Sequence, residues 1–141
     1  MFAIGIDIGT TNVKVVLVDP DGTAIADASR ALTTRSEGPT TTQDPEAIWS
    51  AVRDAVRQIS SEHPAQAGEV RSIGVCSQYS SLVAVGRDGR AVSPVKLYLD
   101  TRGADHCWAI LDRHPEAFGT WVDRHGIPPL GSGLTPSPLL H

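Results

Sequence analysis

Phe2 to Val18 reads FAIGIDIGTTNVKVVLV, and the reading of the whole chain starts there. Two apolar runs, Phe2 to Ile8 and Val13 to Val18, are rich in β-branched residues and are separated by the small polar turn Gly9-Thr10-Thr11-Asn12. That is the sequence form of a β-hairpin. Its bend carries what phosphate binding needs: a glycine where a side chain would collide, hydroxyls that donate to oxyanions, and a carboxylate to manage the accompanying Mg2+. Gly9, Thr10, Thr11 and Asp7 supply these parts. Glycine and threonine also suit a turn that merely reverses the chain, so the bend alone leaves both readings open. Asp7 shifts the balance. It follows Ile4 and Ile6 in a strand that reads as buried, where a carboxylate without a partner is costly and a metal-bound nucleotide is one such partner.

At 141 residues the chain is one domain at most, large enough for a core but small for an enzyme that encloses two substrates. A hydrophobic fraction of 40% and a mean hydropathy of -0.10 fit a soluble globular chain. The net charge of -4, with no local run of Lys and Arg, gives no electrostatic case for nucleic acid or an anionic membrane. Cys76 and Cys107 have no second cysteine nearby, which excludes a C-x-x-C site, and both read as small buried hydrophobes. Met1 leads straight into a strand and no apolar run approaches membrane-spanning length, so the expectation is a reduced, cytoplasmic protein.

Beyond the hairpin, Asp19-Pro20-Asp21-Gly22 signals a turn, and Thr23 to Ser29 completes an antiparallel three-strand meander. Residues 33–43 are polar, hold Gly38 and Pro39 and lack hydrophobic periodicity; they read as a surface loop with solvated threonines. Asp44-Pro45-Glu46 announces a helix by its N-cap aspartate, its proline at the first position and its acidic first turn. Ile48, Val52, Ala55, Val56 and Ile59 form its apolar stripe, Trp49 borders the stripe as packing, and His63-Pro64 ends it. Strands are expected at Val70 to Cys76 and Leu82 to Val85, and an extended segment at Ala91 to Leu99. Helices are expected from Gly103 to about Arg113 and from Pro115 to Arg124, stopped by Gly126, ahead of an irregular proline- and glycine-rich tail. This order of strands and helices indicates an α/β layer architecture.

Two further segments carry chemistry. Ser77-Gln78-Tyr79-Ser80-Ser81 offers an amide, a phenol and hydroxyls, suited to a polyhydroxy ligand and equally to a polar turn. Asp100 and Arg102 follow an apolar segment, where they either grip hydroxyls, form a salt bridge or cap the next helix. His63, His106, His114, His125 and His141 show no metal spacing, and no G-x-S-x-G elbow marks a hydrolase.

Taken together, the chain resembles the N-terminal part of an FGGY-family carbohydrate kinase of the xylulokinase or glycerol kinase type, in the actin/hexokinase/Hsp70 superfamily. GIDIGTTNVKVVLVDPDG would also suit an Hsp70-type ATPase. TQDPEAIW, VRSIGVCSQYSSLVAVGRDGRAVSPVKLYLDTRG and GIPPLGSGLTPSPLL resemble the family's further landmarks in the right order and separate the two. Ser77 to Ser81 matches neither the xylulokinase-like G-Q-M-H-G nor the glycerol-kinase N-Q-R-E-T, so it assigns no substrate. Tyr98 stands at a usual tryptophan position and keeps an aromatic wall, whereas Pro138 and His141 replace the lysine and tryptophan of the last motif.

The resemblance implies an α/β, ribonuclease H-like (actin-like ATPase) domain with a mixed sheet flanked by helices, and phosphoryl transfer from ATP to a sugar or polyol hydroxyl. It places Asp7 by the Mg2+, through water, Gly9, Thr10 and Thr11 around the phosphate, and Lys14 as the basic residue near it. Gln78, Tyr79, Ser80 and Asp100 would face the sugar, and Arg102 would support that end of the pocket. The family's catalytic aspartate and adenosine-binding domain are expected beyond this stretch, so residues 1–141 read as a truncated N-terminal portion, inactive alone and exposing apolar surface. A complementing C-terminal kinase portion is the partner this implies. A non-catalytic binding module that keeps the kinase fold is the alternative.

Overall fold

The computed structural model describes residues 1–126; the tail landmark GIPPLGSGLTPSPLL, with Pro138 and His141, lies outside the described residues. The chain divides into two compact units, one of residues 1–33 and 44–78, the other of residues 34–43 and 79 onward.

The first unit is built on a four-stranded sheet in the order β3-β2-β1-β6. The opening hairpin forms as the residue pattern requires. β1 (Phe2–Ile8) pairs antiparallel with β2 (Asn12–Val18), and β2 with β3 (Ala24–Ala31), completing the meander. The β2–β3 turn is held by Asp19, whose Oδ1 accepts from the N–H groups of Asp21 (2.9 Å) and Thr23 (2.8 Å), and Gly22 supplies the left-handed φ of 85°. β6 (Val70–Ser77) lies parallel to β1 and makes the sheet mixed.

Alternation along the strands decides which side is core. Ile4, Ile6, Val13, Val15, Leu17 and Ala28 are buried beneath α1 (Pro45–Glu62), which contributes Ala51, Val52, Ala55 and Ile59. The helix starts where the sequence places it: the Asp44 carboxylate accepts from the Glu46 N–H at 2.9 Å, and Pro45 occupies the first turn. It ends at His63, and a short α2 (Pro64–Gly68) leads into β6. Trp49 does not pack as expected; it is 59% exposed.

The second unit corrects three expectations. Residues 33–43 are not a loop: β4 (Thr34–Glu37) and β5 (Thr40–Gln43) form a hairpin around Gly38, whose φ is 55°. Nor are its threonines all solvated, because Thr41 and Gln43 are buried and Gln43 Nε2 donates to Thr34 Oγ1 at 2.9 Å. Hydrophobic alternation could not reveal a strand whose inward residues are polar. The expected strands at 82–85 and 91–99 shrink to bridges, Leu82 with Lys96 and Val85 with Ala91, and to a two-residue β7 (Val95–Lys96) beside β5. Val95 and Leu97 are buried there. α3 (Ala104–Arg113) and α4 (Glu116–His125) follow near the expected bounds, and Gly126 ends α4 in the left-handed region.

Candidate functional site

The bend between β1 and β2 is tight. The Gly9 N–H donates to the Asn12 carbonyl at 3.0 Å, and a Cβ on Gly9 would sit 3.1 Å from that same oxygen, closer than most Cβ contacts. A side chain at position 9 would therefore crowd the turn itself. A second tie comes from a residue distant in sequence: Gln78 Nε2 donates to the Gly9 carbonyl at 2.8 Å. The amide assigned to the sugar side is thereby anchored on the phosphate bend.

Asp7 is not in a buried setting, contrary to the expectation that burial would demand a partner. With Ile4 and Ile6 turned under α1, Gly5 and Asp7 take the opposite face, and Asp7 is exposed there. Lys14, also exposed, stands directly across from it in the β1–β2 register. Both line an open cleft of about 760 Å3 on this face, together with Gly5, Asp27, Ser29 and Gly74. Gly5 lies opposite Val16 on one side and Gly74 on the other, so two adjacent positions of the floor carry no side chain. A carboxylate and an ammonium lining an open cleft, next to a bend of small hydroxyl residues, fit a metal-bound phosphate chain. Among the described residues no cluster of three or more His, Cys, Asp or Glu could enclose a metal ion unaided. A cation here would complete its shell with phosphate oxygens and water, which suits Mg2+.

The remaining predicted residues belong to the second unit. Tyr79 is 60% exposed, and Ser80 adopts a φ of 55°, unusual for a residue with a side chain. Asp100 departs from its expected role. Its carboxylate is fully buried, and both oxygens are taken by Arg102: Nε at 2.9 and 3.1 Å and Nη2 at 2.7 Å, with the Thr41 N–H at 3.1 Å as a further donor. Burial alone would raise its pKa, but the hydrogen bonds from Arg102 and the two backbone N–H groups, with the Arg102 charge, outweigh it and hold the carboxyl below its usual value. Of the readings open in the sequence, the salt bridge is the one the structure shows. Thr41, which sequence reasoning missed, is the third member of this clamp, hidden because its partner is 59 positions away.

Cys107 is buried as expected and its thiol is pushed up by desolvation, whereas Cys76 is exposed and lines the cleft beside Asp7 in the β1–β6 register.

A glycine-bend hairpin on a mixed sheet backed by a capped helix fits the actin-like ATPase fold, and comparison with known proteins narrows it. The model of the FGGY family of carbohydrate kinases, N-terminal domain, matches residues 2–117. The chain belongs to this family. It is 31% identical to the xylulose kinase of Escherichia coli (strain K12) over 115 residues, covering 81% of this chain and 23% of that protein. It is 30% identical to the glycerol kinase of Corynebacterium glutamicum (strain R), covering 89% of this chain and 25% of the relative. The fold matches the crystal structure of gluconate kinase from Lactobacillus acidophilus with a TM-score of 0.79 at 24% identity, over 92% of this chain and 25% of that one. The chain thus spans about a quarter of the length of these relatives and corresponds to their N-terminal part. Among the described residues no helix is long and apolar enough to cross a membrane.

Proposed function

We propose that these residues form the phosphate-binding part of a kinase that transfers a phosphoryl group from ATP to a hydroxyl of a sugar or polyol. The observation that carries this reading is that Asp7 and Lys14, paired across the β1–β2 hairpin, line one cleft close in sequence to the Gly9–Asn12 bend, to which Gln78 is bonded. When bound, Mg-ATP supplies the transferable phosphoryl group and the cation that spreads its charge. Asp7 would hold the cation through water, and Lys14 would offset negative charge from the facing strand. The Thr10 and Thr11 hydroxyls, with the glycine bend, orient the phosphate oxygens. Such positioning and neutralisation is most of what phosphoryl transfer asks of a protein.

On the acceptor side, Gln78, Tyr79 and Ser80 present polar groups for hydroxyls, and Arg102 works from its place on Asp100. Asp100 is a positioning residue, since its oxygens are already committed. No residue of this chain is assigned as the base that takes the acceptor's proton; that group, and the adenosine site, belong to the portion that the relatives carry beyond the matched part.

The test uses the polypeptide recovered from its native host with an antibody against this segment, assayed for ADP formation against pentoses, hexoses and polyols. Acceptor-dependent ADP formation, lowered at least about 100-fold in Asp7→Ala and less in Lys14→Ala, is expected. ATP hydrolysis indifferent to any acceptor would point to an Hsp70-like ATPase. Absence of Mg-ATP binding would leave a non-catalytic module.

A further inference from the structure

Three carbonyl oxygens of the Gly9–Asn12 bend are committed to donors. The Asn12 oxygen accepts from the Gly9 N–H at 3.0 Å and closes the turn on itself. The Thr11 oxygen accepts at 2.8 Å from the N–H of Leu32, the first residue beyond β3. The Gly9 oxygen accepts at 2.8 Å from Nε2 of Gln78, the first residue beyond β6. The bend joins the two central strands of the order β3-β2-β1-β6, so each outer strand supplies it with one donor just past its own end. On the β3 side that donor is backbone, and any residue except proline at position 32 would provide it. On the β6 side it is a side chain, and it depends on the residue type at position 78.

The Gln78 tie fixes more than one atom. The Gly9 C=O and the Thr10 N–H belong to one planar trans peptide and point in opposite directions. A donor that holds the oxygen toward the end of β6 therefore holds the Thr10 N–H away from it. A peptide next to glycine turns with little steric resistance, and a turned one would offer a carbonyl oxygen where phosphate oxygens need N–H groups. Resting on the kinase reading above and deepening it, we infer that Gln78 is a positioning residue of the phosphate bend, whose amide acts through the Gly9 carbonyl so that N–H groups, not carbonyl oxygens, meet the phosphate. The division of the chain agrees with this role. Gln78 and Gly9 both belong to the first unit, whereas Tyr79 and Ser80, the other members of the polar segment, belong to the second. Gln78 thus serves the phosphate side first, and the acceptor side only through what its amide presents besides this bond.

The test uses the whole polypeptide recovered from its native host, as wild type and with two substitutions. Gln78→Met keeps the length and loses the donor; Gln78→Glu keeps the shape and sets an acceptor against the Gly9 oxygen. Amide hydrogen exchange is read first, without ligand. The Gly9 N–H exchanges at least about tenfold faster in Gln78→Met, while the Leu17 amide, in the buried part of β2, does not change. In steady-state assays the KM for Mg-ATP rises about tenfold in Gln78→Met and about 100-fold in Gln78→Glu, and the acceptor KM stays within about twofold. A raised acceptor KM with the Mg-ATP KM unmoved would make Gln78 an acceptor ligand and overturn the proposal, leaving the kinase reading intact. Gly9 exchange that is unchanged, or that quickens together with Leu17, would overturn it too. If the wild type forms no ADP in response to any acceptor, the kinase reading fails, and Mg-ATP binding by equilibrium dialysis decides the role of Gln78. Weaker binding by Gln78→Met than by wild type upholds it; equal binding, or none by wild type, overturns it.

Discussion

Replacing Asp100 by Ala removes a carboxylate that joins β5 to the turn after β7. The side chain is fully buried and receives a bidentate bond from Arg102 together with the Thr41 N–H. Loss of one member of a buried ion pair costs about 3–5 kcal/mol, and an orphaned buried N–H about 1–3 kcal/mol. The Arg102 side chain keeps 23% exposure and can rehydrate, which places the expected loss near the lower end, about 3 kcal/mol. Asp100→Asn retains an acceptor for Thr41 and loses only the charge, so about 1–2 kcal/mol is expected. The assay is urea unfolding combined with exchange of the Thr41 amide, which reports this unit directly. Acid dependence supplies an independent check. The folded carboxyl lies below its usual value, so its contribution is complete above the ordinary carboxylate range and is lost as pH falls through the depressed folded value. Wild-type stability should therefore drop more steeply below about pH 4 than that of Asp100→Asn. An Asp100→Ala protein within about 0.5 kcal/mol of wild type, with an unchanged Thr41 exchange rate, would refute the clamp.

Gly5→Ala should lose about 1–2 kcal/mol in thermal or urea unfolding, because the new Cβ would meet Val16 Cγ1 at 2.9 Å, whereas Gly74→Ala, with nothing within 4 Å, should not be destabilising. Ser80→Gly should raise stability by up to about 1 kcal/mol by relieving the left-handed backbone, and Ser80→Val should lower it, measured as shifts in Tm. A maleimide should label Cys76 within minutes in the folded chain and leave Cys107 unmodified until urea is added; mass spectrometry of the labelled peptides distinguishes the two.

The hairpin, the meander and α1 could be read directly because each is encoded by neighbours in sequence. β-branched runs flank a glycine bend, and an aspartate and a proline precede a stripe of helical period. The positions of the candidate phosphate residues came with them, since Asp7, Gly9 and Lys14 ride on that local frame, and family landmarks extended the reading to the carbohydrate kinase family. What escaped were features made by partners far apart in the chain. β5 buries Thr41 and Gln43, which look like solvent-facing residues until Asp100, Val95 and Leu97 arrive beside them. Gln78 is a sugar-side amide in the sequence, and only folding bonds it to Gly9. Periodicity establishes which residues share a face but cannot say which face a neighbour will cover. For that reason Asp7 turns out to be exposed, and Ile73 and Val75, apolar and in register with the core, lie open on a bare edge.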